Sequence, residues 1–135
     1  MLAFYGRSGD DSSMSTENDT RRTAADLAQA YFDAWRAHDF DALQALLADD
    51  VHFEGPLAVV DGAEACRRGL EGLAQMASDI AVKRRFADGD DALTWFEIHA
   101  DGLPPIPVAN WMHAADGRIA RIRVTFDPRP LLDRG

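Results

Sequence analysis

Apolar residues recur at helical spacing through the first half of the chain and at every second position through the last third. Leu27, Ala30, Tyr31, Ala34 and Trp35 form one stripe, and Thr23-Ala-Ala-Asp26 ahead of it has the form of a capping box. A helix over residues 24–37 is predicted, apolar on one face but carrying a phenol and an indole there. Asp39-Phe40-Asp41 breaks it and caps a short second helix through Leu43, Leu46 and Leu47. Residues 51–54 alternate as a strand that Gly55-Pro56 stops, and residues 57–60 form a second extended piece. Asp61-Gly-Ala-Glu64 reads as another capping box, opening a third helix through Cys66, Leu70, Leu73 and Met76. Beyond it the period changes to two. Residues 80–86, 92–100, 107–114 and 119–126 read as strands, with tight turns at the aspartate-glycine pairs. The order implies an α+β domain with helices packed on one face of an antiparallel meander.

Composition narrows the function classes. The chain has 135 residues, 47% hydrophobic and 27% charged, which fits one globular domain large enough to bury a core. Its net charge of −9, with no basic stripe, argues against a nucleic-acid partner, since such affinity comes from clustered Lys and Arg. No apolar run approaches the roughly 20 residues of a membrane span, and residues 1–5 are too short for a signal h-region. Cys66, the single cysteine, forbids an internal disulfide and is expected to be a small buried apolar residue in a cytoplasmic protein. Residues 1–20 are mostly polar without either period and read as a disordered tail, leaving residues 21–135 as a single domain. Met14-Ser-Thr-Glu is expected to be the natural start.

Three stretches carry a family resemblance: residues 31–56 (YFDAWRAHDFDALQALLADDVHFEGP), the helix opened by Asp61-Gly62, and residues 115–127 (ADGRIARIRVTFD). Across residues 24–128 the chain resembles the nuclear transport factor two-like superfamily, in its SnoaL-like and ketosteroid-isomerase-like branch. The resemblance implies a cone-shaped, cystatin-like α+β roll, with a curved antiparallel sheet wrapped around the three N-terminal-half helices, and a homodimer joined through the outer sheet face. This fold hosts isomerases, cyclases, hydrolases and domains that only bind, so function rests on the residues inside the cone. Ketosteroid isomerase needs a carboxylate base and an oxyanion hole built from a tyrosine and a protonated acid. The resemblance puts that tyrosine at Tyr31, the base at Gly55 and the acid near Ala109; both carboxyls are missing. The limonene epoxide hydrolase pattern of two aspartates and an arginine falls on Ile98, Val124 and Phe96, all apolar. No inward acid is found for a SnoaL-type cyclase either.

Strand parity suggests which side chains face the interior. Thr94, Phe96 and Ile98 are expected inward on their strand, leaving Trp95, Glu97 and His99 outward. Pro107, Ala109, Trp111 and His113 are expected inward on the next, and Ile122, Val124 and Phe126 on the last. The expected ligand-lining set is Trp35, Phe53, Phe96, Ile98, Ala109, Trp111, Ile122, Val124 and Phe126. Tyr31 is the candidate hydrogen-bond donor to a ligand carbonyl, or else a helix residue bonded to backbone or water. His113, the one imidazole of inward parity, is the candidate general base, or else a solvated histidine at a strand end. His52, Glu54, Glu97 and His99 form two pairs with metal-like chemistry but unspecific spacing, and read better as part of the dimer surface. No metal and no cofactor is expected. Three functions remain open: a binding domain for a small apolar or aromatic molecule, an isomerase, cyclase or hydrolase using Tyr31 and His113, and a dimerisation module without ligand.

Overall fold

The computed structural model describes residues 22–132, so the expected tail at 1–20 lies outside the described residues. Helix α1 (Ala24–Arg36) starts at the predicted capping box: Asp26 N–H donates to Thr23 Oγ1 at 3.1 Å and Thr23 N–H to Asp26 Oδ2 at 3.2 Å. Helix α2 (Phe40–Ala45) is capped by Asp39, whose Oδ1 accepts from the Ala42 N–H at 3.1 Å. Strand β1 (Leu47–Glu54) begins four residues before its expected start, taking in Asp49 and Asp50. The reason is tertiary: Ile119 N–H donates to Leu46 O at 2.8 Å, and Leu47 pairs with Ile119, which draws the segment into the sheet.

Strand β2 (Val59–Asp61) returns antiparallel to β1 and leads into helix α3 (Ala63–Met76). The capping box expected here does not form. Gly62 is the N-cap at φ 98°, a conformation that L side chains avoid, and Asp61 is turned away to His52, with His52 Nδ1 and Asp61 Oδ1 2.6 Å apart. The meander follows as β3 (Asp79–Asp88), β4 (Asp91–His99), β5 (Ile106–Ala115) and β6 (Arg118–Thr125), closed by a short helix α4 (Arg129–Leu132).

Among the described residues, six strands form one curved, unclosed sheet in the order β2-β1-β6-β5-β4-β3. Among the described residues every pairing is antiparallel as expected except β1 with β6, which is parallel and fastens the β1–β2 hairpin to the end of the meander. Register shifts between Val82 and Arg84 and between His113 and Ala114 interrupt the ladders, the kind of irregularity that bends a strand. The helices lie in the hollow. Phe32 and Trp35 of α1 meet Phe96 of β4, with ring centroids 4.9 Å apart for Phe32–Phe96 and 5.9 Å for Trp35–Phe96, and Tyr31 packs against Phe32 and Trp35. Trp35 Nε1 also donates to Leu70 O at 3.3 Å, tying α1 to α3 through a buried indole.

Parity on β4 is as expected: Ala92, Thr94, Phe96 and Ile98 are buried. Parity on β5 is reversed. Ile106, Val108, Asn110, Met112 and Ala114 point inward, while Pro107, Ala109, Trp111 and His113 point outward. The register dictates this, because directly paired residues share a face: Thr94 is opposite Asn110 and Phe96 opposite Val108, whereas Leu93 is opposite Trp111 and Trp95 opposite Ala109. Once β4 presents Phe96 to the helices, Trp111 is carried to the other side.

Candidate ligand-binding cavity

A cavity of about 360 Å³ opens between α1, α3 and the inner face of the sheet, at the lower end of the range of small-molecule sites. Tyr31 and Trp35 of α1 close its back. Phe53, Phe96, Ile98, Val108, Asn110, Val124 and Phe126 supply the sheet wall, and Cys66, Gly69, Leu70, Gly72, Leu73 and Met76 the helical wall. Residues 55–58, between β1 and β2, form the lip. Leu57 and Met76 line the cavity yet are 45% and 42% exposed, so they stand at its mouth. Gly69 and Gly72 stand there too: both are exposed, and a Cβ added to either meets nothing within 4 Å. Gly55 is tighter, since a Cβ there would come 3.3 Å from the Phe53 ring.

Among the described residues, no Asp, Glu, His, Lys or Arg lines it. The polar groups that do line it are Tyr31, Cys66 and Asn110. Burial lifts the Tyr31 phenol well above its ordinary pKa, the Cys66 thiol adds to the shift, and a hydrogen bond from the Asn110 side chain opposes it. The phenol therefore stays neutral and keeps its proton as a donor. Burial pushes the Cys66 thiol up to about 12, so at neutral pH it is a thiol and a poor nucleophile. Asn110 is 1% exposed, and its Oδ1 has no hydrogen-bond partner among the described residues.

Of the residues singled out in the sequence, Tyr31, Trp35, Phe53, Phe96, Ile98, Val124 and Phe126 line this cavity. Ile122 is wholly buried in the core beside it. Ala109 and Trp111 instead line a groove on the outer face, with Glu54, Leu93, Arg123 and Thr125. His113, the expected base, is on that outer face as well: its Nδ1 lies 3.0 Å from Asp91 Oδ1, and the same oxygen accepts from Trp111 Nε1 at 3.0 Å. The β4–β5 register that turned Trp111 outward turned His113 with it, and the sheet stands between it and Tyr31.

The two acid–histidine pairs do not meet. His52 and Glu54 are on β1, Glu97 and His99 on β4, with β6 and β5 between them, and no metal-ligand cluster occurs among the described residues. Glu97 stays outside the cavity beside Lys83 and His99, and Asp127 is clamped by Arg129 through contacts of 2.7 to 3.1 Å. The interior thus holds no ionised carboxylate among the described residues. Sequence reasoning passed over Asn110 and the helical wall. Both had a signal: an amide amid the apolar alternation Val108, Asn110, Met112, and two glycines inside a helix, where each costs about 1 kcal/mol against alanine.

Comparison with known proteins agrees with this architecture. Residues 28–122 match the family described as SnoaL-like domain. A crystal structure from Kribbella flavida is 31% identical, with a TM-score of 0.73, covering 82% of this chain and 96% of that one. A candidate polyketide cyclase from Sinorhizobium meliloti is 30% identical, with a TM-score of 0.68 and coverage of 73% and 93%. An LEH-like epoxide hydrolase from M. tuberculosis, 24% identical with a TM-score of 0.67 and coverage of 82% and 86%, shares the fold. No curated protein matches the chain. With most of its folded length matched and its helices seated in a single curved sheet, the chain belongs to the SnoaL-like domain family, of nuclear transport factor two-like fold.

Proposed function

We propose that this protein binds a small, neutral, mostly apolar or aromatic molecule in the cavity between α1, α3 and the sheet, with Tyr31 as its polar anchor. One observation carries the reading: an open cavity of about 360 Å³ with no charged side chain on its wall among the described residues. Such a wall rewards apolar area and offers an anionic ligand no counter-ion. Turnover of the isomerase, cyclase or epoxide hydrolase kind needs a group to move the proton. The structural relatives named as a cyclase and an epoxide hydrolase suggest such chemistry, but here the lining positions Phe96, Ile98 and Val124 are apolar and His113 is on the other face. Binding without catalysis is therefore the reading favoured, over both the enzyme and a filled dimerisation module.

Thermal-shift screening with terpenoids, steroids and aromatic polyketides tests it. A ligand at 100 times its Kd should add about 2.7 kcal/mol of stability, and a panel in which nothing raises the Tm would refute the reading.

A second copy of the chain is proposed to cover the outer face of the sheet. Phe86, Leu93 and Trp95 are 66%, 44% and 45% exposed there, and Phe86, Leu93 and Trp111 follow one another across three paired strands. Sedimentation velocity should show a dimer that Trp95→Glu dissociates; a native monomer would refute the assignment.

A further inference from the structure

β2 is a three-residue strand at the edge of the sheet, beside β1, yet one side of the cavity depends on it. Across residues 56–61 only Val60 is part-buried and the rest are exposed, and a segment with so little apolar burial opens locally at small cost. Its inner pair, Phe53 with Val60, lines the cavity, and the turn it carries, residues 55–58, is the lip. Whatever fastens β2 to β1 therefore holds one side of the mouth.

The fastening is on the opposite face. Gly62 N–H donates to Val51 O at 2.8 Å and Gly55 N–H to Ala58 O at 2.9 Å. By the alternation of an antiparallel ladder His52–Asp61 and Glu54–Val59 are then non-hydrogen-bonded pairs, the kind whose side chains lie closest. His52 uses that closeness: its Nδ1 is 2.6 Å from Asp61 Oδ1 across the two strands, and its Nε2 is 3.3 Å from Glu54 Oε1 along its own. A neutral imidazole has one N–H and serves only one of these oxygens, whereas an imidazolium donates to both. The hydrogen bond to Asp61, above all, raises the pKa of the ring, so the imidazolium is held below about pH 6.5 and is lost as pH rises through the folded-state value. The other charged groups on this side are Asp50, two residues back on β1, and on β6 Arg121, paired with His52, and Arg123, whose Nη2 is 3.7 Å from Glu54 Oε2. None of these titrates near neutral pH; His113 of β5, beyond Arg121, is the neighbour that does.

Resting on the binding function proposed above, we infer that His52, Asp61 and Glu54 form a latch that sets how fast ligand enters and leaves the cavity. They are positioning residues: none of the three lines the cavity, and they act by keeping Val60 and the lip seated. Ligand passes between the lip and α3 when β2 parts from β1, rarely with the imidazolium in place and more often with the ring neutral. Such an opening speeds entry and escape alike, so the rates change and the affinity does not.

Stopped-flow fluorescence with N-phenyl-1-naphthylamine, a neutral aromatic probe that brightens in apolar surroundings, tests this, with its Kd taken from equilibrium titration. The dissociation rate of the native protein should rise about two- to fivefold between about pH 5.5 and about pH 8.5, the reach of an exposed ion pair, at unchanged Kd. His52→Gln and Asp61→Asn should each be fast at both ends of that range, and the double variant no faster than either alone. His113→Gln should keep the native slope. Should a variant not fold, the native profile and the remaining variants decide. A native rate flat with pH, a His52→Gln protein as slow as the native one at about pH 5.5, or a slope that disappears in His113→Gln overturns the latch and leaves the binding function standing. So does a weaker Kd carried by the dissociation rate alone, which would make these residues part of the wall and not of its gate. If neither this probe nor naphthalene binds, the binding function falls and the latch with it.

Discussion

Replacing Gly69 and Gly72 together by leucine should stabilise the protein and shut the cavity. Both glycines lie within α3, where glycine is about 0.8–1 kcal/mol less favourable than alanine and leucine only slightly so. The double change therefore gains roughly 1.5 kcal/mol from helix propensity, and a new Cβ at either position has open space around it. For a domain of this size that raises Tm by about 4–8 °C. Each leucine also places four carbons at the mouth. At about 30 Å³ per water-sized group the two occupy roughly 200 Å³ or more, a large share of the 360 Å³ cavity and its opening. Naphthalene affinity, followed by titration calorimetry, should drop at least tenfold, while urea and thermal midpoints rise. Gly69→Ala is the control: it should add up to about 1 kcal/mol with little effect on binding. A lower Tm in the leucine variant would mean the space beside α3 is not open. A higher Tm with undiminished binding would mean that ligand does not pass that helix. The two glycines, on this view, hold the entrance open at the expense of helix stability.

Other outcomes follow from the same geometry. Tyr31→Phe keeps the ring in its cluster with Phe32 and Trp35 but removes a buried hydroxyl, so unfolding should show a loss of about 1 kcal/mol; no loss would mean that the hydroxyl has no polar partner in the folded protein. Cys66 should resist a thiol reagent at pH 8 in the native protein and react at once in urea, because its thiol is buried and pushed up to about 12; rapid native labelling would contradict this. His52, held by Asp61 and then Glu54, has its pKa raised above the ordinary value of about 6.5. Its stabilising effect is therefore fully present below about pH 6.5 and is lost as pH rises through the folded-state value. Urea midpoints of native protein and His52→Gln should accordingly converge toward alkaline pH; a gap that widens there would refute the sign. Asp127, lowered to about 2 by Arg129, works oppositely: its contribution is present above pH 3.8 and fades as pH falls toward 2, a slope that Asp127→Asn should remove.

What the sequence made legible was what is decided locally. The capping box at Thr23 and Asp26 and the cap at Asp39 need only neighbours in the chain, and both formed. β4 was readable because Thr94, Phe96 and Ile98 contrast with Trp95, Glu97 and His99, so one face is plainly the wetter. β5 lacks that contrast: Val108 and Met112 on one face compete with Ala109 and Trp111 on the other. Its parity was settled by pairing with β4, and the mistaken choice moved His113 into the interior and Asn110 out of it. The same non-local cause extended β1 back to Leu47, through pairing with Ile119. At Asp61 a local signal was overridden, because His52 across the β1–β2 hairpin took the carboxylate the helix would have used. Apolar positions of the cavity were thus largely accessible to pattern reasoning, and its polar geometry was not.

The parallel pairing of β1 on β6 has a kinetic side. Leu47 and Ile119 are joined across more than half the length of the chain, and the other strand pairs among the described residues close much shorter loops. During synthesis the hairpin of β1 and β2 must wait, its apolar inner row unpaired, until the final strand has left the ribosome. Contacts so distant in sequence slow folding, so truncation ahead of Arg118 should leave a nascent chain that associates with chaperones and does not settle.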